Sequence, residues 1–188
     1  MAAVEIFTTV FVLMFLAELV DKTELAILAM SLKFKDKFRV FMGSWLAHVI
    51  LDGIAILLGV QFTNFIQLDA VKIIFGTIFI VIGAHSIIHR DKHSDGKMKV
   101  DHHAFFASLL TVGASELGDK TQVASAVLGG VYKNDPIIVF LGAITALAVV
   151  IYLNVFVGSR LLRKLPKKEI KLLSGVLFFL FGVLFIVY

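Results

Sequence analysis

The chain has 188 residues, of which 59% are hydrophobic and 17% charged, and its mean hydropathy is +0.95. Soluble domains are only about half apolar, so this composition predicts a membrane protein. The absence of cysteine excludes disulfides and thiolate metal sites. The formal charge of +4 is assigned to basic loops beside the membrane rather than to nucleic-acid binding.

Six apolar stretches reach the roughly 20 residues that a helix needs to cross a bilayer. The first has no basic n-region and is about twice as long as the apolar core of a signal peptide, so it is predicted to be a retained span. Six spans predict an all-α membrane protein with both termini on one side. The predicted spans are Val4 to Leu32, Val40 to Val60, Val71 to Ile88, Ala104 to Val131, Ile137 to Val157 and Ile170 to Tyr188.

Basic residues are distributed unequally between the predicted loops. The loops after the first, third and fifth spans hold fourteen of the eighteen Lys and Arg residues, whereas the opposite side holds only Lys72 and Lys133. By the positive-inside rule, the basic loops face the cytoplasm and both termini lie on the other side. The expected location is the cell membrane, meaning the cytoplasmic or inner membrane.

The chain repeats itself internally. At an offset of 98 residues, five positions of one segment match five of another: Glu18, Asp21, Lys22, Thr23 and Ala26 match Glu116, Asp119, Lys120, Thr121 and Ala124. An offset of 99 then pairs several small residues, including Gly43 with Gly142 and Gly59 with Gly158. Each repeat holds three spans, which predicts two halves of opposite orientation: residues 1–88 (the first half) and 104–188 (the second half), joined by a cytoplasmic linker at 89–103.

The matched segments carry ionisable residues inside predicted spans. Their spacing of i, i+3 and i+4 predicts one shared helix face in each motif: Glu18, Asp21 and Lys22, and Glu116, Asp119 and Lys120. A charge at the bilayer centre costs at least about 2.5 kcal/mol, so these groups require mutual pairing, water or a bound ion. Four carboxylates and two ammonium groups have a net charge of minus two, which suits one divalent cation. An ion-pair network that only joins the halves is the alternative.

The candidate ligands are oxygen atoms. Carboxylates of Glu18, Asp21, Glu116 and Asp119, with hydroxyls of Thr23, Thr121 and Ser115, form a hard set that favours Ca²⁺, Mn²⁺ or Mg²⁺. Lys22 and Lys120 would hold the empty site together. Each motif-bearing span is longer than the bilayer core and must tilt or break, and Gly118 favours a break in the second motif, whereas Val20 occupies the corresponding place in the first.

Other polar residues fall within the predicted spans. His48 and Asp52 have the apolar repeat equivalents Leu147 and Ile151, and they are predicted to be a proton path, an auxiliary ligand pair or a local hydrogen bond. Glu24 and its equivalent Gln122 are candidates for outer ligands or for interhelical hydrogen bonds. Asn154 is predicted to make an interhelical hydrogen bond.

The two motifs resemble the Glu-x-Gly-Asp-Lys/Arg-Thr/Ser signature of a family of manganese and calcium cation:proton antiporters, the calcium:cation antiporter-2 group. Residues 116–121 fit the signature fully, residues 18–23 depart from it at Val20, and the resemblance covers essentially the whole chain. It implies a secondary transporter that exports Mn²⁺, or Ca²⁺, in exchange for protons by alternating access. The implied partners are the cation, protons and the lipid bilayer, with no resident cofactor.

Two other function classes compete with this interpretation. A passive divalent-cation channel is the nearer one, because a ring of carboxylates also selects cations. A membrane enzyme is disfavoured, because the chain has neither the His-Glu-x-x-His zinc signature nor the Gly-x-Gly-Asp pattern of intramembrane aspartyl proteases.

Overall fold

The computed structural model describes residues 2–19, 21–64 and 104–158, with further helical positions at 70, 73–74, 76–81, 84, 172, 175–176, 179–180, 182–183 and 186. Every regular element within these residues is a helix, as the sequence predicts. The helices are α1 (Ala3–Glu18), α2 (Lys22–Lys33), α3 (Lys37–Asn64), α4 (Ala104–Glu116), α5 (Lys120–Val131) and α6 (Pro136–Tyr152), and a π-helical turn (Leu153–Val157) continues α6.

Two helical segments are long and apolar enough to cross a membrane, namely Lys37–Asn64 and Pro136–Val157, and Ala104–Glu116 is a shorter apolar helix. They correspond to the second, fifth and fourth predicted spans. The predicted linker 89–103, half of the third span and more than half of the sixth span lie outside the described residues. The count of six spans, their inverted orientation and the side of the termini therefore stay predictions.

The first and fourth predicted spans are each divided into two helices. α1 ends at Glu18 and α2 begins at Lys22, while α4 ends at Glu116 and α5 begins at Lys120. The break predicted at Gly118 is confirmed, since this residue has a φ of +74°, a left-handed conformation that glycine adopts without a steric penalty. The first motif breaks at the same place without a glycine, and Val20 itself lies outside the described residues.

These breaks correct one prediction. Residues at i, i+3 and i+4 share a face only on a continuous helix, and the chain leaves the helix between Glu18 and Asp21. The shared face predicted for each motif is therefore wrong. The charged groups come together through the turns and through contacts between the halves.

The helices of the two halves pack mainly against each other. α1 packs along α6, and α3 packs along α4 and α5, whereas α2 contacts α4 and the π-helical turn. Exchanging the halves converts the α1–α6 pair into the α4–α3 pair, as a pseudo-twofold relation would. The buried apolar side chains between these helices form the core, and side chains of the two helix breaks are in direct contact.

Two glycines at equivalent repeat positions bring helix backbones into contact. A Cβ on Gly43 of α3 would collide with the Phe105 carbonyl of α4, and a Cβ on Gly142 of α6 would lie 3.0 Å from the Phe7 carbonyl of α1. Small residues at such crossings permit the close approach that helices in lipid use for packing. This approach positions each broken helix against the opposite half.

Candidate cation-binding site

The two helix breaks have the same local construction. In each, a glutamate is the last residue of one helix and an aspartate is the N-cap of the next. The Asp21 amide donates to the Glu18 carbonyl at 3.2 Å, and the Asp119 amide donates to the Glu116 carbonyl at 3.0 Å. Neither aspartate side chain caps its own helix. The Asp21 carboxylate has its described partner in the other half of the chain.

Polar contacts join one break to the other. The Lys120 ammonium donates to Asp21 Oδ1 at 2.6 Å. From the other side, the Thr23 hydroxyl donates to Glu116 Oε1 and lies 3.3 Å from the Ser115 hydroxyl. Residues of each motif thus bind charged residues of the other, which brings the two predicted clusters together.

Two overlapping groups of potential ligands result from this arrangement. The first group is Asp21, Glu116 and Asp119, and the second is Glu18, His48 and Glu116. Within each group, one ligand atom per residue lies within 4.8 Å of the others, the spacing at which one ion can contact all three. Glu116 belongs to both groups, so it lies at the centre of the site.

The two motif glutamates have different surroundings. Glu116 accepts hydrogen bonds from Thr23 at Oε1 and from Thr121 at Oε2, the latter at 2.9 Å. Glu18 is fully buried, and neither of its carboxylate oxygens has a hydrogen-bond partner among the described residues. An isolated buried carboxylate is costly unless it gains a proton or a cation. The sequence repeat does not reveal this asymmetry, because the two motifs carry the same residue types.

His48 and Asp52 of α3 lie beside the motifs. His48 Nδ1 is 3.4 Å from Asp52 Oδ2, and the Ser125 hydroxyl of α5 donates to Asp52 Oδ1 at 2.7 Å. Both residues are buried. The sequence singled them out by their apolar repeat equivalents, but it did not place His48 next to the motif glutamates.

The flanking polar residues have partners near the breaks. Asn154, in the π-helical turn, donates to Glu24 Oε2, which confirms the predicted interhelical hydrogen bond. Gln122 Oε1 accepts a hydrogen bond from the Gly118 amide at 2.6 Å, so its amide oxygen stabilises the second break. Neither contact involves the two ligand groups directly. The side chain of Lys22 lies outside the described residues.

The donor set can hold a divalent cation. Carboxylate and hydroxyl oxygens are ligands that Mn²⁺, Ca²⁺ and Mg²⁺ accept, and imidazole is a ligand of transition metals. The carbonyl ends of α1 and α4 add partial negative charge at the breaks, and the amide ends of α2 and α5, which begin there, add partial positive charge. The arrangement can therefore bind one cation between two helix breaks.

The chain is similar in sequence to known proteins. A family model described as divalent cation/proton antiporter GDT1 matches residues 6–94 and 104–188. A Vibrio cholerae serotype O1 protein named "Putative manganese exporter" is 27% identical over 169 residues, which are 89% of this chain and 84% of the relative. No solved structure matches the chain.

Two yeast proteins match over shorter segments. A GDT1-like protein of Schizosaccharomyces pombe is 34% identical over 76 residues, 40% of this chain and 26% of its own length. The divalent cation/proton antiporter GDT1 of Saccharomyces cerevisiae is 33% identical over 79 residues, 42% of this chain and 28% of its own length. The chain therefore aligns with under a third of each yeast relative.

Proposed function

This chain belongs to the GDT1 family of divalent cation/proton antiporters, and from that premise we propose that it exports Mn²⁺, and to a lesser degree Ca²⁺, in exchange for protons. We further propose that it does so by alternating access, as two inverted three-span halves in the cell membrane with both termini outside. The name of the Vibrio cholerae relative supports manganese as the cargo.

One observation carries the proposal: two motifs that lie 98 residues apart in the chain meet at two apposed helix breaks. Glu18, Asp21, Glu116 and Asp119 supply the carboxylates, and Thr23, Thr121 and Ser115 supply hydroxyls beside them. In a purely structural network, a buried glutamate whose two oxygens lack described hydrogen-bond partners would only destabilise the protein. A bound cation or proton would satisfy Glu18.

Exchange follows from competition at these oxygens. A carboxylate must lose its proton to bind a metal, so cation binding releases protons and protonation expels the cation. If the site opens to one side at a time, this competition couples the two fluxes in opposite directions. Glu18 and Glu116 are the residues to which we assign the exchange, because a ligand atom of each lies in the same group.

Lys120 supplies a means of stabilising the site between transport steps. Its ammonium pairs with Asp21 of the other half. The Lys120 side chain is 27% exposed, so protein atoms do not enclose it completely and it can move away from Asp21. An arriving divalent cation replaces this positive charge at Asp21. The ion pair that holds the halves together is thereby exchanged for metal coordination, and one half can rock against the other.

The test is a flux measurement in proteoliposomes that contain a pH-sensitive dye. Mn²⁺ and then Ca²⁺ are added outside, and proton movement is compared for wild type, Glu116→Gln and Glu5→Gln. Glu5 is an exposed glutamate at the start of α1, so its substitution controls for the loss of one negative charge. We expect metal-dependent proton movement in wild type and Glu5→Gln and its loss in Glu116→Gln.

Two results would contradict the proposal. Entry of metal without proton movement would favour the passive channel, in which the same carboxylates select cations without exchange. Unchanged transport in Glu116→Gln would remove the motif glutamates from the mechanism, even if the wild type exchanges protons for metal.

A further inference from the structure

One buried side chain at the site belongs to neither motif. His48 lies on α3, is 1% exposed, and has a ring nitrogen within 4.8 Å of ligand oxygens of Glu18 and Glu116. The ligands that the two motifs supply are all oxygen atoms. His48 is therefore an additional group of different chemistry at the same place.

The imidazole of His48 lies beside a carboxylate. Its Nδ1 faces Asp52 Oδ2 at 3.4 Å, and the other oxygen of Asp52 accepts the Ser125 hydroxyl at 2.7 Å. A carboxylate behind one ring nitrogen is the common arrangement for metal-binding histidines, because it orients the ring and leaves the other nitrogen for the metal. That other nitrogen, Nε2, is buried and has no hydrogen-bond partner among the described residues.

We propose that His48 Nε2 is a direct ligand of the transported cation and makes the site prefer Mn²⁺ to Ca²⁺ and Mg²⁺. Asp52 is the positioning residue that holds the ring, with Ser125 behind it. This inference rests on the proposed function, because it assigns the cation selectivity of the same site.

The chemistry of the ligands gives the direction of the preference. Carboxylates, hydroxyls and carbonyls bind Ca²⁺ and Mg²⁺ well, whereas imidazole suits transition metals. Replacing one oxygen by nitrogen therefore weakens the site for Ca²⁺ and Mg²⁺ relative to Mn²⁺. The repeat equivalent of His48 is Leu147, so the second half contributes no matching nitrogen.

A histidine that is merely satisfied within the core does not account for the geometry. Such a residue would have partners for both ring nitrogens, since an unpaired buried polar atom is destabilising. In the described part of the chain, Nε2 has no such partner, although a ring nitrogen of His48 lies within 4.8 Å of carboxylate oxygens of Glu18 and Glu116. A cation bound between His48, Glu18 and Glu116 would satisfy this nitrogen and a carboxylate oxygen of Glu18.

The direct test is pulsed electron paramagnetic resonance of Mn²⁺ bound to the purified protein, which detects nitrogen nuclei coordinated to the metal. We compare wild type, His48→Gln, and a control in which the other five histidines are replaced by glutamine: His85, His89, His93, His102 and His103. Nitrogen modulation is expected in wild type and in the control, and its loss is expected in His48→Gln. Modulation that persists in His48→Gln, or its absence from Mn²⁺-loaded wild type, would overturn the proposal.

Transport selectivity provides the second test. In His48→Gln, an oxygen ligand replaces nitrogen, and the ratio of Mn²⁺-driven to Ca²⁺-driven proton movement should fall at least about tenfold. In Asp52→Asn, the apparent affinity for Mn²⁺ should fall about 10- to 100-fold, as for other residues that orient a metal-binding histidine. An unchanged ratio in His48→Gln would refute the inference alone, whereas a wild type without proton movement would refute the proposed function.

Discussion

Asp21 Oδ1 lies 2.6 Å from Lys120 Nζ, so the N-cap carboxylate of one helix break is paired with the first helical residue after the other break. The lysine of the same motif as Asp21 is its neighbour in sequence, yet the described partner comes from the opposite half. This pairing makes the ion pair a link between the halves. Loss of this ion pair should lower the stability of the protein when no cation is bound.

Replacing Lys120 by methionine should destabilise the metal-free protein by about 2 kcal/mol. Removing one partner of a buried pair leaves the 6% exposed Asp21 without its counter-charge, and the partial exposure of Lys120 keeps the effect below that of a fully buried pair. Thermal unfolding in detergent measures the change. Added Mn²⁺ should restore much of the lost stability, because a bound cation stabilises the folded state.

Lys133→Met is the control for the Lys120 substitution, because Lys133 follows α5, outside the two motifs. It should unfold like the wild type. An equal loss of stability in both variants would indicate that losing the Asp21–Lys120 ion pair does not cause the destabilisation.

Replacing Thr23 by valine should weaken cation binding and lower stability by about 1–2 kcal/mol. The substitution keeps the shape of the side chain but removes the hydroxyl that donates to the buried Glu116 from the opposite half. Initial transport rates over a range of Mn²⁺ concentrations give the apparent affinity. Thr8→Val is the matched control, because the Thr8 hydroxyl donates to the Val4 carbonyl on an exposed helix face, and it should behave as wild type.

Replacing Gly118 by alanine should lower stability by about 1–2 kcal/mol and slow transport. A Cβ at this position meets no atom within 4 Å, so the whole effect comes from the φ of +74° that the second break requires. Gly113→Ala is the control within α4, since its Cβ also meets nothing within 4 Å and its φ is not positive. That control should be neutral or slightly stabilising, because alanine favours helix.

If both alanine variants at these two glycines have the same stability as the wild type, the left-handed turn at Gly118 is not required for folding. If both are destabilised equally, loss of glycine itself matters, and the backbone conformation of the break does not. Unfolding midpoints measured side by side in one detergent distinguish these results from the expected one.

Replacing Gly43 by alanine should destabilise the contact between α3 and α4 by about 1–3 kcal/mol, the usual effect of overpacking. A Cβ there collides with the Phe105 carbonyl, and backbone atoms cannot move aside as a flexible side chain can. In Gly53→Ala, the Cβ would lie 3.3 Å from the end of the Phe140 side chain, which can rotate away. Comparable unfolding of the two variants would contradict the close backbone approach at Gly43.

Several features of this protein could be predicted from residues close together in the chain. Apolar length indicated helices, the recurrence of Glu-x-x-Asp-Lys-Thr indicated two related motifs, and Gly118 indicated one helix break. The break at Asp21 was harder to predict. No glycine marks it, because Val20 stands in the first motif where Gly118 stands in the second.

The sequence by itself determined which chemical groups enter the apolar interior, because residue types and their spacing decide hydropathy and the repeat of the motifs. Only the tertiary structure decided which groups meet. It paired Asp21 with Lys120, directed Thr23 to Glu116, left Glu18 without a described partner, and placed His48 beside both glutamates. These contacts depend on helices packed across nearly 100 residues of chain, and local propensity carries no information about such distances.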